Sequence, residues 1–258
     1  LILYHALGAN VPSSALQPLQ FPETLFTAGV NLGGTGQVVQ VAVDGATVSV
    51  GSVAGGVATV AIADVNSNNG VVHVVDTVVV PPTAAATAVV TATPTLSELL
   101  AAVVRTSTGN TLDTEAGLTI FAPANSAFAA LAGGNQSAYS EALMTDIITV
   151  HGSTTAVGYS TLLTDGMTLT ALDNTTTLTI GVNNGTVTVS TASSTATVTL
   201  ANVLIPNGVV HVIDSVLFQA PSSTYNIVEN ALVTPALSTL ASTLLDPAYS
   251  AILTLLTD

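Results

Sequence analysis

The 258-residue chain carries one Arg and no Lys against 15 acidic residues, a formal net charge of −14. No basic patch is available to neutralise phosphates or to hold an anionic membrane surface, so nucleic acid is excluded as a partner. With no Cys, disulfides, thiolate chemistry and Cys-based metal sites are excluded together.

Only 6% of residues are charged, where an ordinary soluble domain carries roughly 25%, yet 48% are hydrophobic. The apolar residues alternate in strand fashion, which argues against disorder. No stretch approaches the roughly 20 apolar residues needed to cross a bilayer, so no membrane span is expected in this segment. The start at Leu1 shows no signal-peptide pattern.

In chain order, Leu1–His5 is an apolar run closed by Tyr4-His5. The Gly-rich patch Asn31–Gly36 lacks the strand-to-helix context and the Lys of a phosphate loop and reads as turns. Val41–Val50 reads as strand, tight turn, strand, and Asn69–Val79 as an apolar strand holding His73 and Asp76. Pro81-Pro82-Thr83 is a stiff junction.

Thr95–Thr106 has the three-and-four apolar spacing of an amphipathic helix, with Thr95 or Ser97 as cap. A loop is expected over Ser107–Thr114, then a short buried strand over Leu118–Phe121 ended by Pro123. Ser126–Leu131 reads as a helix entry packing Phe128 inward, and Ser140–Val150 as a second amphipathic helix. From Met167 the period is two, with Thr at alternate positions, as in antiparallel strands with one buried and one hydroxyl face.

The chain repeats itself. Asn69-Gly70-Val71-Val72-His73-Val74-Val75-Asp76 returns as Asn207-Gly208-Val209-Val210-His211-Val212-Ile213-Asp214, and Val41–Val50 returns as Ile180–Val189. Tyr4-His5 corresponds to Val150-His151, and Thr93–Leu99 resembles Thr234–Leu240. A spacing near 138 residues is that of a tandem globular domain rather than of a solenoid unit. The expected organisation is the later part of one domain over 1–82, a complete domain over 83–221 and the front of a third over 222–258. Two origins fit: a piece of a longer array, which the missing stretch equivalent to residues 118–146 favours, or domains completed by a neighbouring molecule. Helices precede strands in each copy, which is the α+β class.

Thr119-Ile120-Phe121-Ala122-Pro123-Ala124-Asn125-Ser126-Ala127-Phe128 resembles the first signature of fasciclin (FAS1) domains. The two His-containing blocks resemble the second signature, and Tyr4-His5 the Tyr-His element between them. The resemblance implies tandem domains, each a wedge of β-strands with a cluster of α-helices, in secreted or surface-anchored proteins that serve adhesion or extracellular matrix. Val150 departs from the family's Tyr, and no Arg-Gly-Asp is present, so integrin-type adhesion is not expected. Under this resemblance Tyr4, His5, His73, Asp76, Phe121, Pro123, Asn125, Phe128, His151, His211 and Asp214 are structural motif residues.

Residues three apart on a strand face opposite ways, so His73 with Asp76, and His211 with Asp214, make poor metal pairs. The expected role of these imidazoles is a hydrogen bond that fixes a loop. No nucleophile elbow and no calcium-loop spacing occurs, so neither catalysis nor a cofactor or metal is expected.

Asn135-Gln136-Ser137, Asn174-Thr175-Thr176 and Asn184-Gly185-Thr186 fit the N-glycan acceptor pattern. Pro81, Pro82, Thr83, Thr93, Pro94, Thr95, Pro221, Ser222 and Ser223 form Pro with Ser/Thr stretches that read either as O-glycosylated, hydroxyproline-bearing linkers or as plain junctions. The leading expectation is an extracellular tandem-repeat glycoprotein that self-associates head to tail into a fibre or matrix. The alternative is a monomeric secreted module that binds a lipid, glycan or protein.

Overall fold

The computed structural model describes residues 1–52, 55–131, 136–219, 225–234 and 237–246. The first copy is an antiparallel meander of β1 (Leu19–Gln20), β2 (Gln40–Asp44), β3 (Thr47–Ser52), β4 (Gly56–Ser67) and β5 (Gly70–Val75), in that spatial order. Tyr4-His5 closes a single 3-10 turn, Ile2–His5, and Tyr4 anchors a small core with Val39, Val41, Ala58 and Val79.

The second copy opens with helices α1 (Ala86–Ala92), α2 (Ser97–Arg105) and α3 (Gly109–Thr114). It continues through β6 (Leu118–Pro123), α4 (Asn125–Ala129), α5 (Glu141–Val150) and β7 (Gly152–Ser153). The meander β8 (Thr168–Thr170), β9 (Thr177–Asn183), β10 (Thr186–Ser190), β11 (Thr195–Ile205) and β12 (Gly208–Ile213) completes it. The sheet order is β7-β6-β12-β11-β10-β9-β8, and β12 pairs with β6 in parallel. Helices α6 (Ile227–Leu232) and α7 (Ser238–Leu244) follow.

Local chemistry explains most boundaries. Asn184 and Gly185 both have positive φ, 48° and 80°, the backbone that a tight two-residue hairpin demands. The Ser140 hydroxyl accepts from the Leu143 N–H at 3.1 Å and caps α5. The α2 helix begins at Ser97, after a 3-10 turn over Pro94–Leu96, and buries Leu99, Ala102 and Val103. Thr alternates with buried Leu178 and Ile180 along β9, as period two requires.

Residues 109–114, expected as loop, form α3. Its Leu112 is buried, and the Asp113 carboxylate accepts from the backbone N–H and hydroxyl of Thr87 at 2.9 and 2.6 Å. Tertiary contacts with α1 therefore override a weak local helix signal.

The 222–258 region does not stand apart where it is described. Asn226 and Glu229 form a reciprocal capping box for α6, and Val228, Ala231, Leu232, Ala241 and Leu244 enter the same core as α1, α2 and α5. The Tyr225 hydroxyl donates to Asp146 at 2.9 Å. The helices of the second copy present an apolar face that α6 and α7 cover, so residues 83–221 are not the whole of this packing unit.

Candidate functional site

The four histidines occupy two equivalent positions in each copy, and each ring bridges two backbone groups. In the second copy, His151 Nδ1 lies 2.7 Å from the Ile147 carbonyl while its Nε2 accepts from the Leu217 N–H at 2.9 Å. His5 repeats this with the Leu1 carbonyl and the Val79 N–H, both at 3.2 Å. An Nε2 that accepts must be unprotonated, so Nδ1 carries the hydrogen in both rings.

The other pair uses the opposite tautomer. His211 Nδ1 faces the Asn202 N–H at 3.4 Å and its Nε2 donates to the Gly158 carbonyl at 2.8 Å. His73 does the same with the Asp64 N–H at 3.4 Å and the Val11 carbonyl at 2.9 Å. Each ring thereby holds the loop that follows the Tyr-His or Val-His turn against the sheet.

Asp64 and Asn202 have φ of 58° and 64°, and each sits at a β-bulge where the register of the long strand shifts. Asp and Asn tolerate this left-handed backbone better than most residues. The Asn202 side chain accepts from the Ser160 N–H at 2.8 Å and donates to its hydroxyl at 2.7 Å. The Asp64 carboxylate accepts from the Ser13 N–H at 2.8 Å and from its hydroxyl. These hydrogen bonds hold the Asp64 carboxyl below the usual carboxylate range. Replacing Asn202 by Ala leaves Ser160 unpaired and strains the bulge; we expect a loss of about 1–3 kcal/mol in chemical denaturation.

Asp76 and Asp214 accept from the Thr59 and Thr197 N–H groups at 2.8 and 2.7 Å, away from their neighbouring histidines. Among the described residues no group of three or more His, Asp or Glu is placed to hold a metal ion. Burial presses both His151 and His211 toward the neutral form, each down to about 4. Phe121 is fully buried and stacks on His211 at 5.6 Å between ring centroids. Pro123 ends β6 against Ile213, Phe128 is buried in the helical core, and Asn125 bonds to the Pro94 carbonyl, the Ser97 hydroxyl and the Glu98 N–H, each at 3.0 Å.

The two copies are docked through a loop that the sequence reading treated as turns alone. From Pro22 to Val39 the first copy takes 17 steps where the second takes nine from Leu169 to Leu178, and the extra eight residues reach the second copy. Buried Gln37 donates from Nε2 to the Ile205 carbonyl at 3.1 Å and folds its Oε1 onto the Val38 N–H. The Asn31 N–H donates to the Pro206 carbonyl, and the Gly117 N–H donates to the Asn31 carbonyl, both at 3.0 Å. Phe21 stacks on Tyr159 at 5.0 Å, and Val38 packs with Leu204 and Val209.

The sequence pattern of the fasciclin domain matches residues 1–81 and 94–219, the two copies that carry these paired anchors. The chain belongs to the fasciclin family. Among solved structures, a FAS1 domain pair from the insect cell adhesion molecule fasciclin I is similar at 18% identity and a TM-score of 0.48, over 77% of this chain and 70% of that chain. No curated protein sequence matches.

In this fasciclin pair the modification candidates fall into four groups. Asn174 and Asn184 sit at exposed turns with positive φ, and Thr83, Pro94 and Thr95 are exposed. Pro81 and Pro82 are buried, which fits the plain-junction reading of these two positions and not the modified-linker one, since a substituent on either ring would have to displace its neighbours. The Thr93 hydroxyl is half-buried and already donates to the Val89 carbonyl at 2.7 Å. Asn135, Pro221, Ser222 and Ser223 lie outside the described residues.

The docked loop gives a prediction of its own. Gln37→Ala leaves the Ile205 carbonyl and the Val38 N–H without their partner, at a cost of about 1–3 kcal/mol to docking. We expect faster hydrogen exchange over residues 31–39 with the strands of both sheets unchanged.

Proposed function

We propose that the protein is an extracellular structural and adhesive glycoprotein whose fasciclin domains are docked in tandem and associate head to tail into a fibre or matrix. The docked junction carries this reading: a buried glutamine, two backbone hydrogen bonds and an aromatic stack fix one domain on the next, so that the pair transmits force as a unit. Exposed glycan acceptor sites at Asn174 and Asn184 would keep a surface so poor in charge hydrated.

No catalysis belongs to this reading, because both nitrogens of every histidine are engaged by backbone groups. Among the described residues no single helix is long and apolar enough to cross a membrane.

Electron microscopy of native material, with intact-mass analysis before and after deglycosylation, tests the proposal. Ordered filaments with excess mass mapping to Asn174 or Asn184 are expected. Dispersed, unmodified particles would overturn it in favour of a monomeric secreted binding module.

A further inference from the structure

Asn-Gly pairs are chemically labile, because glycine has no side chain to shield its nitrogen from the amide carbon of the asparagine before it. The chain has three, and the fold treats them differently. At Asn69-Gly70 and Asn207-Gly208 the glycine closes its hairpin, opposite Ser67 and Ile205, where the turn bond takes its N–H. Asn207 is buried besides, and its Nδ2 donates to the Leu112 and Glu115 carbonyls at 3.0 and 2.9 Å. Asn184 and Gly185 instead form the centre of the turn between β9 and β10, whose ladder closes at Asn183 opposite Thr186. The Gly185 nitrogen therefore lies outside the ladder.

Its surroundings are open as well. Asn184 and Gly185 are both exposed, and even a Cβ on Gly185 would meet nothing within 4 Å. Asn184 is held in left-handed backbone at φ 48°, a strained state for a residue other than glycine. Only the tip of the hairpin has to move for its side chain to swing onto the following nitrogen. Asn174, the other exposed glycan acceptor, is guarded: a β-branched Thr175 follows it, and the Thr175 N–H is held by Asp173 Oδ1 at 2.9 Å.

We propose that Asn184 is a site of spontaneous deamidation in molecules that carry no glycan there, and that an N-glycan on the same side chain prevents it. Protection by a glycan rests on the glycoprotein reading; the chemistry of the bare turn does not. The Gly185 nitrogen loses its proton to solvent and attacks Asn184 Cγ. A carbon–nitrogen bond forms, the bond from Cγ to Nδ2 breaks, and Nδ2 takes up a proton and leaves as ammonia. The five-membered imide then adds one water at either carbonyl, which opens it to aspartate or isoaspartate at position 184. Nothing is oxidised or reduced, and solvent water is the only co-reactant. Either product adds a negative charge and removes the acceptor of Asn184-Gly185-Thr186, and isoaspartate also lengthens the main chain of a tight two-residue turn. A glycan substitutes the nitrogen that must leave and covers the turn.

The test incubates the 258-residue protein, made in a host that adds no N-glycans, at mildly acid and mildly alkaline pH and reads each asparagine by peptide mass mapping, with isoaspartate separated from aspartate by chromatography. Expected are conversion at Asn184 about tenfold or more faster than at Asn207, a mixture of the two products, and a faster rate at the higher pH, because the deprotonated nitrogen is the nucleophile. Gly185→Ala sets a Cβ beside that nitrogen and slows conversion by about tenfold or more; circular dichroism checks that the hairpin accepts alanine at φ 80°. The proposal is overturned by conversion no faster at Asn184 than at Asn207, by aspartate as the sole product, or by a folded Gly185→Ala protein that converts as fast as the wild type. The product ratio needs no variant, so the chemistry stays testable if Gly185→Ala misfolds. Protein from a glycosylating host should convert only in its unglycosylated fraction. Deamidation there without any glycan at Asn184 would overturn the protective role and the glycan reading at this site alone.

Discussion

Phe121→Ala is expected to destabilise the second fasciclin domain by about 3–5 kcal/mol, the range for removing a fully buried aromatic ring. The ring is fully buried within a cluster that includes Leu169, Leu178, Ile180, Val189, Ile213 and Leu217, and it stacks on His211. Of these all but Leu217 are strand residues held by ladder hydrogen bonds, which limits their collapse into the space. The loss combines the transfer term with that of an unfilled cavity. Urea denaturation followed by circular dichroism should show a lower midpoint for the second domain with an unchanged slope. A loss below about 1 kcal/mol would mean that the sheet relaxes around the gap and that the ring does not organise it.

The second large effect is acid lability. His151 and His211 are neutral in the fold, with values near 4, against about 6.5 when unfolded. Between those limits the unfolded chain binds more protons than the folded one. Stability is therefore fully present above about pH 6.5 and is lost as pH falls toward 4, by about 3 kcal/mol for each histidine. Burial sets the sign, and the geometry agrees with it: in each ring one nitrogen faces a backbone N–H, of Leu217 or Asn202, and protonation would set two donors against each other. Stability curves from pH 7.5 to 4 should fall steeply, and His211→Asn should flatten the curve while lowering stability at neutral pH. A flat wild-type profile over that range would show that the rings are not held neutral. Asp64 adds to the loss at lower pH, since a carboxylate whose folded value is depressed stabilises above its unfolded value and ceases to as it protonates.

Much of this was legible in the residues. The repeated Asn-Gly-Val-Val-His block placed β5 and β12, period-two alternation located the β9 and β10 hairpin, and the three-and-four spacing placed α2 and α5. These signals are local, because side-chain direction along a helix or strand is set by backbone period. α3 escaped, since its helical state rests on Asp113 binding Thr87 from another element. The docking loop also escaped, although the offset between the copies falls from 146 at Tyr4 to 139 at Val41 and so carries a net insertion of seven residues; length shows an insertion but not the surface it reaches.

The sequence by itself determined that the chain is a tandem of α+β fasciclin copies and that each His recurs at a fixed place beside a strand. Tertiary structure alone decided which backbone groups each imidazole bridges, that α6 and α7 join the core of the second domain, and that Gln37 sits between the domains. The division has a physical cause. Periodicity and turn chemistry act over a few neighbouring residues, while the partner of a buried polar group or of a strand edge is fixed by packing between residues tens of positions apart.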